Sequence, residues 1–138
     1  MQHWLLKSEP YKYSWEHLEK DKTTFWDGVR NFQARNNLKA MKQGDYALFY
    51  HSNEGKEIVG IAQISKEAYQ DPTTEDTNWV VVEIVPVCKL KKSVSLETIK
   101  NHPILQNMAL VKQSRLSVCP VTPTEFDIIC QLGDVNLQ

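Results

Sequence analysis

The chain lacks a long hydrophobic run and a basic, apolar leader at its start. A membrane-spanning helix needs about 20 consecutive apolar residues, so no membrane partner is expected. The first ten residues, MQHWLLKSEP, do not have the features of a secretion signal. We therefore expect an intracellular protein, which would be cytoplasmic if the chain is bacterial.

Cysteine is scarce. The chain of 138 residues has three, Cys88, Cys119 and Cys130, and no two of them are closely spaced. An odd, scattered set argues against a disulfide framework and against a Cys-x-x-Cys metal site. No pair of histidines or cysteines has the spacing of zinc ligands, and there is no glycine-rich phosphate loop. We expect neither a metal nor a cofactor.

The sequence also lacks a convincing catalytic set. Ser52 follows His51, but neighbouring residues of a strand point to opposite faces, so adjacency does not make them a nucleophile and its base. Glu9 and Asp27 could act as an acid pair only if the fold brings them together. We therefore interpret the protein as a binding module and not as an enzyme.

Acidic side chains are absent between Asp27 and Asp45, although the whole chain has a net charge of -1. The segment FWDGVRNFQARNNLKAMKQGD (25–45) instead holds two Arg, two Lys and three Asn next to Trp26. A protein that binds nucleic acid mainly through phosphates gains affinity from counterion release and is usually basic. Any nucleic-acid binding by this chain is therefore expected to be local and only weakly electrostatic.

This segment predicts a turn at Gly28 followed by a helix from Asn31 to Lys42, ended by Gly44. The buried stripe of that helix would consist of Ala34, Leu38 and Met41, which recur at helical spacing. The cations at the same spacing on another face are Arg35, Lys39 and Lys42. Trp26 lies in a polar turn, where a packing role and a role as pocket wall or base-stacking surface both fit.

Short strands and helices alternate along the rest of the chain. The predicted strands are HWLLKSEP, YALFYHSN, EIVGIAQISKEAY, WVVVEIVPVCKL and SRLSVCPV; the last would place Arg115 and Ser117 on one side. The predicted helices are YSWEHLEKD, LETIKN and EFDIICQL, with N-caps at Ser14, Ser95 and Thr122. Pro86 indicates a sheet edge or a bulge. These elements predict one compact α+β domain over residues 1–138, built around a bent sheet or small barrel.

The motifs KSEP, WDGVRNFQARNNLKAMKQGD, FYHSN, VGIA and SRLSVCPV, with the spacing between them, resemble those of the EVE domain family of the thymocyte nuclear protein type. The resemblance covers residues 2 to 131. It implies a PUA-like fold, which is a bent β-barrel of five or six strands with short helices packed around it. It also implies a function, since EVE domains are regarded as readers of modified nucleobases. The expected partner is DNA or RNA carrying a modified base, bound by a monomer.

The resemblance further implies a pocket beside the barrel. Its lining residues would be Lys7, Ser8, Glu9, Pro10, Trp26, Gly28, Val29, Arg30, Asn31, Tyr50, His51, Ser52, Asn53, Ser114, Arg115, Leu116 and Ser117. The residues expected to contact phosphates are Arg30, Arg35, Lys39 and Lys42. One position departs from the family pattern, because Cys119 stands where the motif usually has Gln.

Energetics restrict how such a pocket would work. Extruding a base from a duplex costs a few kcal/mol, and an aromatic stack returns about 1–3 kcal/mol, so stacking alone about breaks even. Hydrogen bonds from Ser8, Asn31 or backbone groups to the base edge must supply the surplus. A buried methyl group adds only about 0.8 kcal/mol, so discrimination needs shape exclusion or a polar group left unpaired by the wrong base.

Two other functions remain open at this point. One is an enzyme that acts on a nucleotide or nucleobase in the same pocket through His51 and Glu9. The other is a general RNA-binding module of the PUA type, without preference for a modification.

Overall fold

The computed structural model describes residues 1–137, and within them a six-stranded sheet is packed against five α-helices. The strands are β1 (His3–Ser8), β2 (Thr24–Phe25), β3 (Tyr46–His51), β4 (Glu57–Gln70), β5 (Val80–Ser95) and β6 (Val118–Val121). The helices are α1 (Trp15–Asp21), α2 (Phe32–Ala40), α3 (Leu96–Asn101), α4 (Ala109–Lys112) and α5 (Pro123–Leu132), with a 3₁₀ turn at Leu105–Asn107.

The strands lie in the order β2-β5-β4-β3-β1-β6. Strands β1 and β3 are parallel, and the other neighbours are antiparallel. Within the described residues no ladder joins β2 to β6, so the predicted barrel is not closed. The strands at the open edges are short, and Pro120 in β6 lacks an N–H to donate to a further strand. The α+β class and the six strands are confirmed.

The long hairpin of β4 and β5 gives the sheet its bend. Four register shifts interrupt this ladder, one of them between Ile61 and Ala62. There Ile61 pairs with Cys88 and Ala62 with Pro86, which leaves Val87 as the extra residue of a bulge. The bulge predicted from Pro86 is confirmed. Because each bulge bends its strand and increases the local twist, the sheet curls around the core.

The predicted helix starts are confirmed by their caps. The Ser14, Ser95 and Thr122 side chains each accept a hydrogen bond from a backbone N–H in the first turn of α1, α3 and α5. Helix α1 packs on the sheet through Trp15, which is fully buried. Gly60 of β4 leaves the room for this indole, because a Cβ there would lie 2.6 Å from the ring.

The predicted end of helix α2 is wrong. The helix ends at Ala40, and Met41 already has extended backbone angles. The Asp45 carboxylate accepts hydrogen bonds from the Lys42 N–H and from the Trp4 indole, so Lys42 is held in a turn. The buried stripe of Ala34, Leu38 and Met41 is nevertheless confirmed.

The predicted strand SRLSVCPV is too long at its start. Residues 113–115 form a turn that follows α4, and β6 begins at Val118. The Leu116 N–H donates to the Gln113 carbonyl, which closes this turn. Arg115 and Ser117 therefore do not share one side of a strand.

None of the helices in residues 1–137 is both long and apolar enough to cross a membrane.

Candidate functional site

A cavity of about 430 Å³ lies between the end of β1 and the chain that follows β2. This volume is within the range of about 300–1,000 Å³ that is typical of small-molecule sites. The residues that line it are Lys7, Ser8, Glu9, Lys12, Tyr13, Thr24, Phe25, Trp26 and Asp27. Four of the predicted pocket residues, Lys7, Ser8, Glu9 and Trp26, thus lie around one cavity.

Tight local structure fixes the KSEP wall of the cavity. The Lys12 and Tyr13 N–H groups both donate to the Glu9 carbonyl, at 2.9 and 3.0 Å. The Ser8 hydroxyl donates to the Tyr13 carbonyl. These bonds fold the chain after β1 back on itself and bring the Tyr13 ring to the cavity.

Trp26 both packs in the core and borders the cavity. The residue is only 9% exposed, and its N–H donates to the Val82 carbonyl at 2.8 Å. The indole meets Phe49 and Tyr13 edge to face, with centroids at 5.6 and 6.3 Å. The neighbouring Phe25 is 41% exposed and adds a third aromatic ring to the lining.

Charged groups of both signs surround these rings. The Lys7 ammonium donates to the Ser114 carbonyl at 2.8 Å, and burial lowers the pKa of Lys7. A hydrogen bond from Tyr11 lowers the pKa of Glu9, with help from the Lys12 ammonium 3.5 Å away. Glu9 and Asp27 both line the cavity, so acidic residues lie on two of the segments that form its walls.

A second cavity has a volume of about 350 Å³, and the Lys7–Ser114 hydrogen bond joins a residue of the first lining to one of the second. The second cavity is lined by Asn31, Gln33, Gln113, Ser114, Arg115 and Leu116. The Asn31 side chain accepts from the Ala34 N–H at 2.9 Å and thereby caps α2. The Gln33 amide donates to the Gln113 side chain at 2.8 Å, which ties the helix to the turn before β6.

The remaining predicted pocket residues do not line the first cavity. Val29 and Tyr50 are buried in the hydrophobic core. Three others form hydrogen bonds through their backbone: the Gly28 N–H donates to the Asp71 carboxylate, the Ser52 N–H donates to the Ser8 carbonyl, and the Ser117 carbonyl accepts from the Lys7 N–H. Asn53 lies in a turn with a φ of 65°. Pro10 follows the end of β1 and lines none of the cavities described here. These residues do not line one common cavity, because adjacent residues of a segment face different sides. Their membership of one binding pocket stays a prediction.

His51 lies outside the first cavity. Its Nε2 accepts a hydrogen bond from the Trp15 N–H at 3.0 Å, at the start of α1. It lines a separate cavity with Glu16, Glu57 and Lys89, and burial lowers its pKa. The pair of His51 and Glu9 suggested for an enzyme is therefore not assembled around one cavity.

Asp71 anchors the segment that carries Trp26. The carboxylate is fully buried and accepts from the Gly28 N–H at 3.2 Å and from the Arg30 guanidinium at 3.0 Å. Burial alone would raise its pKa, but the hydrogen bonds from Thr73, Arg30 and Gly28 outweigh burial and lower the pKa to about 2. The charge of Asp71 thus holds the turn at Gly28, whose φ is +75°.

The residues predicted to contact phosphates differ in whether their side chains already interact with other residues. Arg30 pairs with Asp71, and its side chain is 40% exposed. The Arg35 guanidinium donates to the Asn36 side chain at 2.9 and 3.2 Å. Lys39 is exposed on α2, whereas Lys42 is exposed beyond the end of the helix. The common helical edge of the prediction therefore includes Arg35 and Lys39 only.

Five residues of the first cavity, Lys12, Tyr13, Thr24, Phe25 and Asp27, were not predicted as pocket residues. Tyr13 and Phe25 lie beside predicted ones in sequence, so a wider window around KSEP and Trp26 would have included them. Asp71, in the loop between β4 and β5, is a further residue that was not predicted. Its signal was the Asp-Pro-Thr sequence, since Asp readily binds the backbone N–H two residues on, here that of Thr73.

Residues 2–132 match the family described as EVE domain. The chain belongs to the EVE domain family. It is 42% identical to thymocyte nuclear protein 1 of Gallus gallus, over 96% of this chain and 69% of that protein. The resemblance predicted from the motifs is confirmed.

Solved structures of similar proteins have the same fold. A protein from Agrobacterium tumefaciens, known from an X-ray crystal structure, is 44% identical with a TM-score of 0.96, covering 100% of this chain and 97% of that one. Human THYN1, in a crystal structure with 5-methylcytosine containing DNA, is 37% identical with a TM-score of 0.89, covering 99% of each chain.

A more distant solved structure has a similar fold. The YTH domain of Zygosaccharomyces rouxii MRB1 is 20% identical with a TM-score of 0.60, covering 98% of this chain and 88% of that one. At this identity the likeness concerns the fold alone. The relative from Gallus gallus carries a nuclear name, so a cytoplasmic location remains a prediction for this chain.

Proposed function

We propose that this EVE domain binds single-stranded or locally opened nucleic acid and reads a modified base in the cavity beside Trp26. The observation that carries the proposal is this cavity, which is lined by three aromatic residues, two acidic residues and two lysines. It is supported by human THYN1, which is 37% identical over 99% of this chain and was crystallised with 5-methylcytosine containing DNA.

The chemistry of the lining fits a cytosine ring. Carboxylates accept hydrogen bonds from the exocyclic amine of cytosine, and Glu9 and Asp27 offer carboxylates at the cavity. Lys7 and Lys12 offer donors for the carbonyl oxygen of the base. The rings of Tyr13 and Phe25 supply apolar surface for the flat base and for a methyl group.

Aromatic stacking of about 1–3 kcal/mol roughly balances the cost of extruding a base from a duplex. The hydrogen bonds of Glu9 and Lys7 therefore decide whether a base enters. A 5-methyl group contributes only about 0.8 kcal/mol, or about fourfold in affinity. A preference for 5-methylcytosine over cytosine much larger than fourfold would require the cavity to exclude the unmodified base.

The test is a binding titration by fluorescence anisotropy with matched single strands that carry cytosine, 5-methylcytosine, adenine or N6-methyladenine at one position, in DNA and in RNA. We expect tightest binding to a modified strand. The variants Phe25→Ala and Glu9→Gln should each weaken this binding about five- to a hundredfold. Glu19→Gln, an exposed change on α1, is the matched control and should bind as wild type.

Trp26 needs a gentler change, because it is nine-tenths buried and its truncation to alanine would cost about 3–5 kcal/mol of folding stability. Trp26→Phe keeps an aromatic ring against Phe49 and should reduce base affinity while the protein stays folded by circular dichroism. Equal affinity for modified and unmodified strands would refute the reader function and favour a general RNA-binding module. Release of an altered nucleoside, detected by mass spectrometry, would favour an enzyme.

A further inference from the structure

Outside the cavity, four side chains stack on one another at the start of α2. The Phe32 and Trp79 rings are stacked, with centroids 5.1 Å apart and planes inclined by 28°. The Arg35 guanidinium carbon lies over Phe32 at 4.8 Å, and that of Arg30 lies over Trp79 at 5.6 Å. We call these four residues, Arg30, Trp79, Phe32 and Arg35, the stacked run.

The stacked run is held in place before any ligand binds. Arg30 is tied to Asp71, the Trp79 indole N–H donates to Asp76 at 3.1 Å, and Arg35 is fixed by Asn36. These bonds remove most of the conformational freedom that binding would otherwise cost.

Phe32 has no evident packing reason to be aromatic. It is the first residue of α2 and remains 58% exposed in spite of its contacts with Trp79 and Arg35. Exposed aromatic rings and guanidinium planes are the surfaces on which unpaired bases stack. An accessible pair of stacked rings with a guanidinium group over each of them is therefore suited to a nucleotide.

The stacked run is connected to the cavity by a short, rigid piece of chain. Asp71 accepts from the Gly28 N–H, next to the cavity, and from the Arg30 guanidinium, in the stacked run. One buried carboxylate thus sets the position of both. A single strand that inserts one base beside Trp26 would continue past the same segment.

We propose that the stacked run binds a nucleotide that flanks the base held in the cavity, with its base against the exposed part of Phe32 or on the Arg35 guanidinium plane and its phosphate at Arg35. The inference rests on the proposed function. Asp71 and Asp76 offset the charge of Arg30, so the net positive charge here is small. A duplex presents one phosphate per 1.7 Å of axis and covered base faces; the stacked run suits a single strand instead.

The experiment compares two probes on the full chain. One probe is the nucleoside 5-methyl-2′-deoxycytidine, and the other is a nonanucleotide single strand with that nucleoside at its centre. Phe32→Ala should weaken binding of the nonanucleotide about five- to a hundredfold and leave binding of the nucleoside unchanged. Arg35→Lys, which keeps the charge but loses the planar surface, should weaken the nonanucleotide to a smaller extent.

Ile104→Ala is the matched control, since it truncates another exposed apolar side chain, 46% accessible, and should bind both probes as wild type. The proposal is overturned if Phe32→Ala binds the nonanucleotide as wild type, or if it weakens both probes equally. If wild-type protein does not bind the nucleoside while Phe32→Ala still weakens the nonanucleotide, the base-reading function fails and the strand contact stands.

Discussion

At the residue scale, the buried carboxylate of Asp71 links the loop before β5 to the segment that carries Trp26. An ionised group is costly to bury unless its partners compensate. Here four donors do so, two from Thr73 and one each from Gly28 and Arg30. Since the same bonds fix the cavity wall and the stacked run, a change at this one position should affect both stability and binding.

Replacing Asp71 by Asn tests this. The amide would present N–H groups to donors, so Asp71→Asn should lower the free energy of unfolding by about 1–3 kcal/mol at pH 7, measured by urea denaturation. Because the pKa of Asp71 is lowered to about 2, the wild-type advantage should be complete above about pH 4 and disappear as the pH falls towards 2.

The control for this change is Asp134→Asn, at an exposed position with a φ of 57° that Asn tolerates well. It should leave stability nearly unchanged. A difference between wild type and Asp71→Asn that persists undiminished at acid pH would mean that the carboxylate charge is not what stabilises the segment.

His51 gives a second pH-dependent effect. Its Nε2 accepts from the Trp15 N–H, and burial lowers its pKa from 6.5, so the folded state favours the neutral ring. Its contribution is fully present above pH 6.5 and is lost as the pH falls below that value. The urea midpoint should drop between pH 7.5 and 5.5, by the equivalent of one hydrogen bond at most, about 0.5–1.5 kcal/mol.

His51→Gln retains an acceptor without the titration and should flatten this pH dependence. His3, whose pKa is also lowered by burial, contributes in the same direction and remains in the variant, so the slope should decrease without vanishing. Gln131→Ala, an exposed change on α5 that removes no titratable group, serves as the control and should keep the wild-type profile. An unchanged profile in His51→Gln would assign the effect to another group.

At the element scale, the sequence predicted which strands and helices exist and where the capped helices start. It predicted less well where helix α2 ends and where strand β6 begins. N-caps are local signals, since one side chain and one backbone N–H decide them, and Ser14, Ser95 and Thr122 were identified correctly. The end of α2 depends on Asp45, which captures the Lys42 N–H in a turn fixed by the sheet. Alternation in SRLSVCPV similarly extended a strand across a turn that α4 determines.

The parallel pairing of β1 and β3 explains why the motif residues were only partly assembled. Lys7 pairs with Tyr50 and Ser8 with His51, so the KSEP segment and the YHSN segment (50–53) do lie side by side. Their side chains, however, serve different surroundings: Ser8 lines the cavity, Tyr50 is in the core and His51 caps α1. Which face a side chain occupies depends on tertiary packing, and that information is not local.

A substitution at Gly60 tests how closely α1 packs on the sheet. A Cβ on this residue would lie 2.6 Å from the Trp15 ring, which is fully buried. Gly60→Ala should therefore lower the free energy of unfolding by about 1–3 kcal/mol through overpacking, measured by urea denaturation. Gly28→Ala is the contrast: it has open space and a φ of +75°, so its cost should be only about 1 kcal/mol from backbone strain.

At the scale of the whole molecule, the net charge of -1 limits how the protein can bind nucleic acid. Its acidic groups lie outside residues 28–44, and that segment includes α2 and three of the four residues of the stacked run, Arg30, Phe32 and Arg35. Affinity must then come from enclosing a base and stacking its neighbour, while a few cations hold the strand. This interpretation unites the cavity, the stacked run and the shortage of net positive charge.

The salt dependence of binding measures how much of the affinity comes from phosphate contacts. Each phosphate contact on a single strand contributes about -0.7 to the slope of log Kobs against log salt. Arg30 is already paired with Asp71, which leaves Arg35, Lys39 and Lys42, so the slope for the nonanucleotide should be about -2. Lys39→Ala and Lys42→Ala should each flatten it by about 0.7, whereas Lys100→Ala, exposed on α3, should not. A slope steeper than about -5 would mean that phosphate contacts dominate, and that the enclosed base is not the main source of affinity.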